Sequence, residues 1–195
     1  MPPFSPRPYG RAISGLLATQ RLNDLGPGAP DQQVRSELAA LSPEKLVAPH
    51  GLGDPQMAAA CLAALWLRYD FAHESHAISQ ELETVEGSYW HGILHRREPD
   101  FANAKYWFRR VGSHPIAPAL AAAARESAQA AESDRAAEFL STQTEWDHFR
   151  FVDLCQSVLA GRSAAKLLCR QIQQREWELL FDHCYRFACA DPGMG

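Results

Sequence analysis

Four histidines in the middle third of the chain are spaced so that helical structure would arrange them as two pairs. His73 and His76 lie three residues apart, and His91 and His95 lie four residues apart. Either spacing places both rings on one face of a helix. Neutral imidazoles arranged in this way can share Zn²⁺ or a similar transition metal, with a carboxylate as a further ligand. The pattern therefore predicts a divalent metal site at these four histidines.

Glu98 follows the second histidine pair and would complete a catalytic group. If the site is catalytic, His91 or His95 is the general acid or base, and Glu98 orients an imidazole. If it is not, the same histidines bind a ligand, or they form a hydrogen-bonded core network that only stabilises the fold. The sequence leaves the choice between an enzyme and a binding protein open.

Positive charge is concentrated in the same region of the chain. Between His91 and His114 there are five basic residues and two acidic ones, whereas the whole chain carries a net charge of −4. Arginine presents a planar fork that binds carboxylate or phosphate groups. We therefore predict that a small anionic molecule binds here, and that its ligands are Gln80, Arg96, Lys105, Arg109 and His114. The alternative is that these cations pair with nearby surface acids at little energetic consequence.

The elements that must position these residues are helices. Asp54 and Pro55 are typical of a helix start, and no glycine or proline follows before Gly87, so one long helix is predicted over residues 54–85. Its predicted inward stripe begins apolar and ends ionisable, and consists of Leu62, Leu65, Trp66, Tyr69, His73, His76, Gln80 and Glu83. A buried ionisable face indicates a polar cavity between helices. The alternative is that this end of the helix emerges into solvent.

The remaining helix-breaking glycines and prolines predict an all-α, single-domain bundle of antiparallel helices. Further helices are expected over residues 88–98, 101–111, 115–131, 133–159 and 163–189, with breaks at Gly87, Pro99, Gly112 and Gly161. No segment alternates with the period of two that is typical of a strand. Residues 1–53 are rich in proline and glycine and are predicted to form an irregular N-terminal arm with short helices, followed by the bundle over residues 54–195.

The composition limits the kinds of partner. A net charge of −4 argues against nucleic acid as the main partner. The sequence lacks the run of about 18 apolar residues that a membrane span needs. The five cysteines show no CxxC spacing, which predicts reduced thiols and a cytoplasmic location. Self-association into a homo-oligomer is left open.

The segment after His91 resembles two known patterns. The spacing of Gly92, Ala104, Phe108 and Pro115 is similar to one tetratricopeptide helix pair. The same segment resembles a helical protein family of unknown activity, on the basis of Trp90-His91-Gly92, residues 95–100, Lys105-Tyr106-Trp107, residues 109–112 and His114-Pro115. The second resemblance implies no reaction.

The tetratricopeptide likeness implies an alternative function, a protein-interaction module that recognises an acidic peptide or a subunit. Burial separates the two hypotheses. A ligand site requires His76, His91 and His95 to lie buried with perturbed pKa values. An interaction groove requires arginines such as Arg96 and Arg97 to face solvent.

Overall fold

The computed structural model describes residues 9–48, 50–132 and 134–191, and over these ranges the chain folds into eleven α-helices. They are α1 (Arg11–Ala18), α2 (Arg35–Ala39), α3 (Pro43–Val47), α4 (Pro55–Arg68), α5 (Ala72–Ser79), α6 (Val85–Arg97), α7 (Phe101–Val111), α8 (Ala117–Ala130), α9 (Phe139–Thr142), α10 (His148–Leu159) and α11 (Lys166–Ala188). A 3₁₀ turn, Gln32–Val34, precedes α2. No strand occurs in the described ranges, where the only β-type pairing is an isolated bridge between Leu52 and Cys189. The predicted all-α fold is confirmed.

Helix α7 begins and ends where the sequence predicts, because both of its ends are set by local residues. The side chain of Asp100 accepts a hydrogen bond from the backbone N–H of Asn103. At the other end Gly112 adopts a φ of +59°, which is readily accessible only to glycine. Asp54 likewise caps α4, whose first residue is Pro55.

The predicted long helix over residues 54–85 is wrong, because the chain breaks after Arg68 and resumes as α5 at Ala72. Asp70 lies in the break with a φ of +65°. Its carboxylate pairs with Arg97 and accepts a hydrogen bond from Asn23 Nδ2 at 3.0 Å. These partners lie far away in sequence, and no glycine or proline marks the break. The local sequence therefore does not indicate it.

The predicted break at Gly87 is also wrong, because this residue lies in the first turn of α6. The helix starts at Val85, and the Thr84 hydroxyl caps it by accepting from the Gly87 N–H at 2.9 Å. A Cβ on Gly87 would come within 2.5 Å of Leu82 Cβ. The glycine therefore permits a close approach of the preceding loop instead of ending a helix.

The predicted helix over residues 133–159 is wrong in its first half. Its proposed first residue, Ser133, lies outside the described residues, and the following segment contains only the short helix α9. Helix α10 begins at His148, where the Asp147 side chain accepts from two backbone N–H groups. The turn before α11 is as expected, with Gly161 at a φ of +69°.

Helix α11 belongs to two buried apolar clusters and joins them. Its first turns, including Cys169 and Ile172, pack in one cluster with residues of α8, α9 and α10. Its second half, including Leu180 and Cys184, packs in the other with residues of α1, α3, α4, α6 and α7. The N-terminal arm also contacts α11, because the backbone N–H of Gly10 donates to the Tyr185 hydroxyl. None of the described helices is long and apolar enough to cross a membrane.

Candidate functional site

Helices α5 and α6 bring three of the four predicted metal ligands together. One ring nitrogen from each of His76, His91 and His95 lies within 4.8 Å of the others. The His76 ring meets the His91 ring edge to face at 4.6 Å between centroids, and the His91 and His95 rings stack at 4.8 Å. His91 and His95 are buried, and His76 is half-buried. We refer to these three residues as the histidine cluster.

The fourth predicted metal ligand, His73, does not join the histidine cluster. Its side chain is exposed at the start of α5. The sequence placed His73 on the same face as Tyr69 by assuming one continuous helix. The break around Asp70 interrupts that helix, so the buried face of α4 does not continue to His73. His76, one turn further along α5, faces α6 and contacts both of its histidines.

Neighbouring side chains hold the rings of the cluster in place. Glu98 Oε2 lies 3.3 Å from His95 Nδ1, and Asn103 Nδ2 donates to His95 Nε2 at 3.0 Å. With the Asn103 amide donating, Nε2 is the acceptor nitrogen of the neutral His95 ring and Nδ1 carries the proton on the side of Glu98, so a metal at Nε2 would replace the Asn103 hydrogen bond. The Trp107 ring stacks on the His91 ring at 4.0 Å and 13°. Glu98 thus occupies the orienting position expected from the sequence, since histidine ligands of metals are commonly held by such a carboxylate.

Burial favours the neutral form of His91 and His95. The pKa of His91 is lowered to about 4, mainly by loss of hydration and in smaller part by the neighbouring His95 and His76. Burial is also the main cause that lowers the pKa of His95, against the opposing effect of Glu98. Neutral imidazole is the form that coordinates a metal, and the lowered pKa values of His91 and His95 favour that form.

The donor set of the histidine cluster fits a transition-metal ion such as Zn²⁺. Three nitrogen ligands at about 2.0–2.1 Å in a tetrahedral arrangement lie roughly 3.3 Å apart. The ring nitrogens are within 4.8 Å of one another, and because the His91 and His95 rings stack with 23° between their planes, one of these rings must turn before both lone pairs point at one ion. His91 Nδ1 is buried without a hydrogen-bond partner, which leaves its lone pair available. Three protein ligands leave a fourth position open.

The predicted anion ligands do not converge on one point. Arg96 is buried and pairs with Glu176 at 2.5 Å, and Lys105 pairs with Asp153 at the surface. Gln80 is exposed. Each of these side chains thus lies in a different environment.

Arg109 is exposed and lines an open cleft of about 600 Å³ beside α10. Its guanidinium lies over the Phe149 ring at 5.8 Å. Arg97, which the interaction-groove hypothesis needs at the surface, is buried together with Arg96, and its guanidinium pairs with Asp70. Two of the arginines that would line such a groove are therefore used inside the bundle.

His114, the last predicted ligand residue, belongs to a second polar cluster that the sequence did not reveal. It meets Glu86 and His183, with one ligand atom of each within 4.8 Å of the others. Glu86 Oε1 lies 3.2 Å from His183 Nε2 and 3.6 Å from His114 Nε2. Hydrogen bonding to both histidines is the main cause that lowers the pKa of Glu86. The three residues are far apart in sequence, so no spacing pattern could have identified them.

Hydrogen bonding distinguishes this second cluster from the histidine cluster. The backbone N–H of Ile116 donates to His114 Nδ1 at 3.3 Å. Nδ1 is therefore the acceptor nitrogen of the neutral ring, and Nε2 carries the proton towards Glu86. A protonated nitrogen offers no lone pair to a metal. The second cluster is an arrangement of two imidazoles around one carboxylate.

The chain matches no protein-family model, no curated protein and no solved structure. Its likeness to a tetratricopeptide helix pair and to a helical family of unknown activity stays a prediction.

Proposed function

We propose that this protein binds a divalent transition-metal ion, Zn²⁺ or a similar ion, through His76, His91 and His95. A small anionic molecule takes the remaining coordination position. The observation that carries the proposal is the meeting of three imidazole nitrogens within 4.8 Å, two of them on buried rings. Three histidines with one open position are the ligand pattern of catalytic zinc sites, and structural sites use four protein ligands.

The main rival is a hydrogen-bonded core network of histidines, and the pattern of hydrogen bonds argues against it. Such a network is stable when each buried donor and acceptor is paired. His91 Nδ1 has no partner although it is buried, and His91 meets the other two rings edge to face or by stacking. A metal ion supplies the missing partner for this lone pair.

Each neighbour of the cluster has a defined part in the proposed site. Glu98 is a positioning residue, because it faces His95 Nδ1 at 3.3 Å, and Nε2 becomes available to the metal when the Asn103 amide turns away. Trp107 covers the buried ring of His91 and excludes water from that side. A bound metal would act as a Lewis acid on the anionic molecule in the open position.

Metal binding tests the proposal directly. Protein treated with a chelator and then dialysed is titrated with ZnCl₂ by calorimetry, and we expect one ion per chain. The stoichiometry is informative, because a second ion would mean that Glu86, His114 and His183 also bind metal. Substitution His91→Ala should abolish binding, whereas His73→Ala on the exposed start of α5 should leave it unchanged.

Two further measurements keep the result clear if His91→Ala folds poorly. Co²⁺ bound by three histidines gives a visible absorption spectrum that reports its coordination geometry. The variant His76→Ala removes the half-buried ligand and disturbs the core less than His91→Ala does. Cu²⁺ should quench Trp107 fluorescence, because this indole stacks on a ligand ring at 4.0 Å. Equal metal binding by the wild type, His76→Ala and His91→Ala would overturn the proposal.

A further inference from the structure

Arg68, the last residue of α4, is a buried arginine without a charged partner. It is 2% exposed, and its guanidinium lies over the Trp177 ring at 4.8 Å. Nη2 donates to the backbone carbonyl of Thr19 at 2.6 Å. Nε and Nη1 are both buried and have no hydrogen-bond partner. Within the described ranges, no carboxylate lies within ion-pair distance of this side chain.

The charges around Arg68 leave one buried cation unbalanced. Arg96, Arg97 and Arg68 are the three buried arginines of α4 and α6. Glu176 pairs with the first and Asp70 with the second, so each of these carboxylates already has a buried cation. Burying a charge without its counter-charge is costly, because water no longer solvates it. Within the described residues, Arg68 therefore has no carboxylate of its own within ion-pair distance, and among carboxylates the more distant Glu178 opposes the cost of its burial.

A small cavity lies beside the unpaired guanidinium. It has a volume of about 10 Å³ and is lined by Arg68 and Arg97, together with Asn23 and Gln173. This volume is at the lower limit for a single water molecule, so a larger monatomic ion requires the lining side chains to move apart. Arg97 Nε also lacks a hydrogen-bond partner, so three buried nitrogen donors of this lining are unsatisfied. A molecular anion such as phosphate is too large for the space.

We propose that a single chloride ion occupies the cavity between Arg68 and Arg97. A chloride ion accepts from all the unsatisfied nitrogens and balances the charge of Arg68. A water molecule has two lone pairs and no charge, so it would leave one nitrogen and the charge uncompensated. The site is separate from the histidine cluster, and its occupant does not depend on a metal.

One polar atom of the lining favours water over chloride, and it defines the competing outcome. Gln173 Nε2 donates to the backbone carbonyl of Asp24 at 3.1 Å, while Gln173 Oε1 is buried without a partner. Water can donate to this oxygen, and chloride cannot. An ordered water molecule is therefore the result that would overturn the proposal.

Bromide provides a direct test on the wild-type protein. A crystal grown or soaked in sodium bromide should show an anomalous scattering peak next to Arg68 and Arg97. A peak with the density of water and no anomalous signal at this position would refute chloride binding. The measurement needs no variant, so it does not depend on the folding of a mutant.

Thermal unfolding tests the same proposal in solution, in the presence of a chelator so that metal binding does not contribute. At matched ionic strength, the unfolding midpoint should rise with sodium chloride relative to sodium gluconate and should level off as the site fills. Arg68→Met should remove this chloride dependence, whereas Arg35→Met, at an exposed arginine paired with Glu74, should retain it. Equal midpoints of the wild type in the two salts would contradict the proposal, and would leave zinc binding by the histidine cluster unaffected.

Discussion

His148 shows how the surroundings of a single side chain determine its protonation. The first residue of α10 is buried, and its ring stacks on Phe108 at 4.6 Å. The indole N–H of Trp146 donates to its Nδ1 at 3.0 Å. The pKa of His148 is lowered to about 3, mainly by burial and in smaller part by the nearby Arg96 and His114. The folded protein therefore holds this ring neutral well below the pKa of an ordinary histidine.

This lowered pKa predicts a specific loss of stability in acid. Between about pH 6.5 and pH 3 the unfolded chain binds a proton at His148 and the folded chain does not. The free energy of unfolding therefore falls as the pH falls, by about 1.4 kcal/mol per pH unit for one proton. In His148→Gln, which keeps an acceptor for Trp146, urea denaturation between pH 6 and 4.5 should show a shallower slope by about one proton. Identical slopes in the two proteins would contradict the assignment.

Residue types were easier to predict from the sequence than residue partners. His76, His91 and His95 could be singled out because i, i+4 spacing and two adjacent helices already bring such rings near each other. Arg96 could not be assigned correctly, because its carboxylate partner, Glu176, lies 80 positions away. The local excess of positive charge that indicated an anion site is thus partly balanced by carboxylates from elsewhere in the chain, at Arg96 and Lys105.

At the scale of elements, the packing of α6 against α7 depends on one glycine. A Cβ on Gly92 would approach Phe108 Cε1 to 2.9 Å. The Phe108 ring cannot easily withdraw, because His148 stacks on it and Tyr89 meets it edge to face at 5.6 Å. The glycine lets the two helices that carry His91, His95 and Trp107 come close together.

Substitution Gly92→Ala should therefore destabilise the protein although alanine favours helix. Overpacking a core typically costs about 1–3 kcal/mol, which exceeds the helix-propensity gain of up to about 1 kcal/mol. Gly15→Ala is the matched control, since Gly15 is an exposed residue of α1 whose added Cβ would meet only Glu37 Oε1 at 3.9 Å. Urea denaturation should show a lower free energy of unfolding for the first variant and an equal or higher one for the second. Stabilisation by both substitutions would contradict this prediction, because it would show that the Phe108 ring moves aside to make room for the added Cβ.

The limits of the helices could be predicted where their causes are local. Helix α7 has an aspartate cap at one end and a glycine with positive φ at the other, and both are visible in the sequence. The break between α4 and α5 is fixed by Asp70, which is bonded to Arg97 and Asn23 from other parts of the chain. Sequence periodicity therefore extended one helix through the break and assigned His73 to the buried face.

At the scale of the whole molecule, α11 is the element on which the two apolar clusters and the N-terminal arm meet. Its Glu176 is fully buried and pairs with Arg96 of α6, and the Tyr89 hydroxyl also donates to this carboxylate at 3.3 Å. Arg170 of the same helix donates to the backbone carbonyl of Asn23 in the arm at 3.1 Å. From contacts of this range we expect the described part of the chain to unfold as a single cooperative unit.

The buried pair is expected to report this cooperativity. Glu176→Gln retains the shape of the side chain and an acceptor for Tyr89, but leaves the Arg96 charge uncompensated. Breaking a buried ion pair from one side typically costs about 3–5 kcal/mol. Asp153→Asn breaks the surface pair with Lys105, where Asp153 is 58% exposed, and should cost at most about 1 kcal/mol.

The double variant Arg96→Met/Glu176→Met completes the test, because it removes both charges at once. Replacing a buried ion pair by apolar residues of similar volume is often neutral or stabilising, so the double variant should regain most of the free energy of unfolding that Glu176→Gln loses. If the double variant is instead as unstable as the single one, the pair contributes through its hydrogen bonds and not through charge balance. The same logic then weakens the case for a counter-ion at Arg68, since both arguments depend on the cost of an uncompensated buried guanidinium.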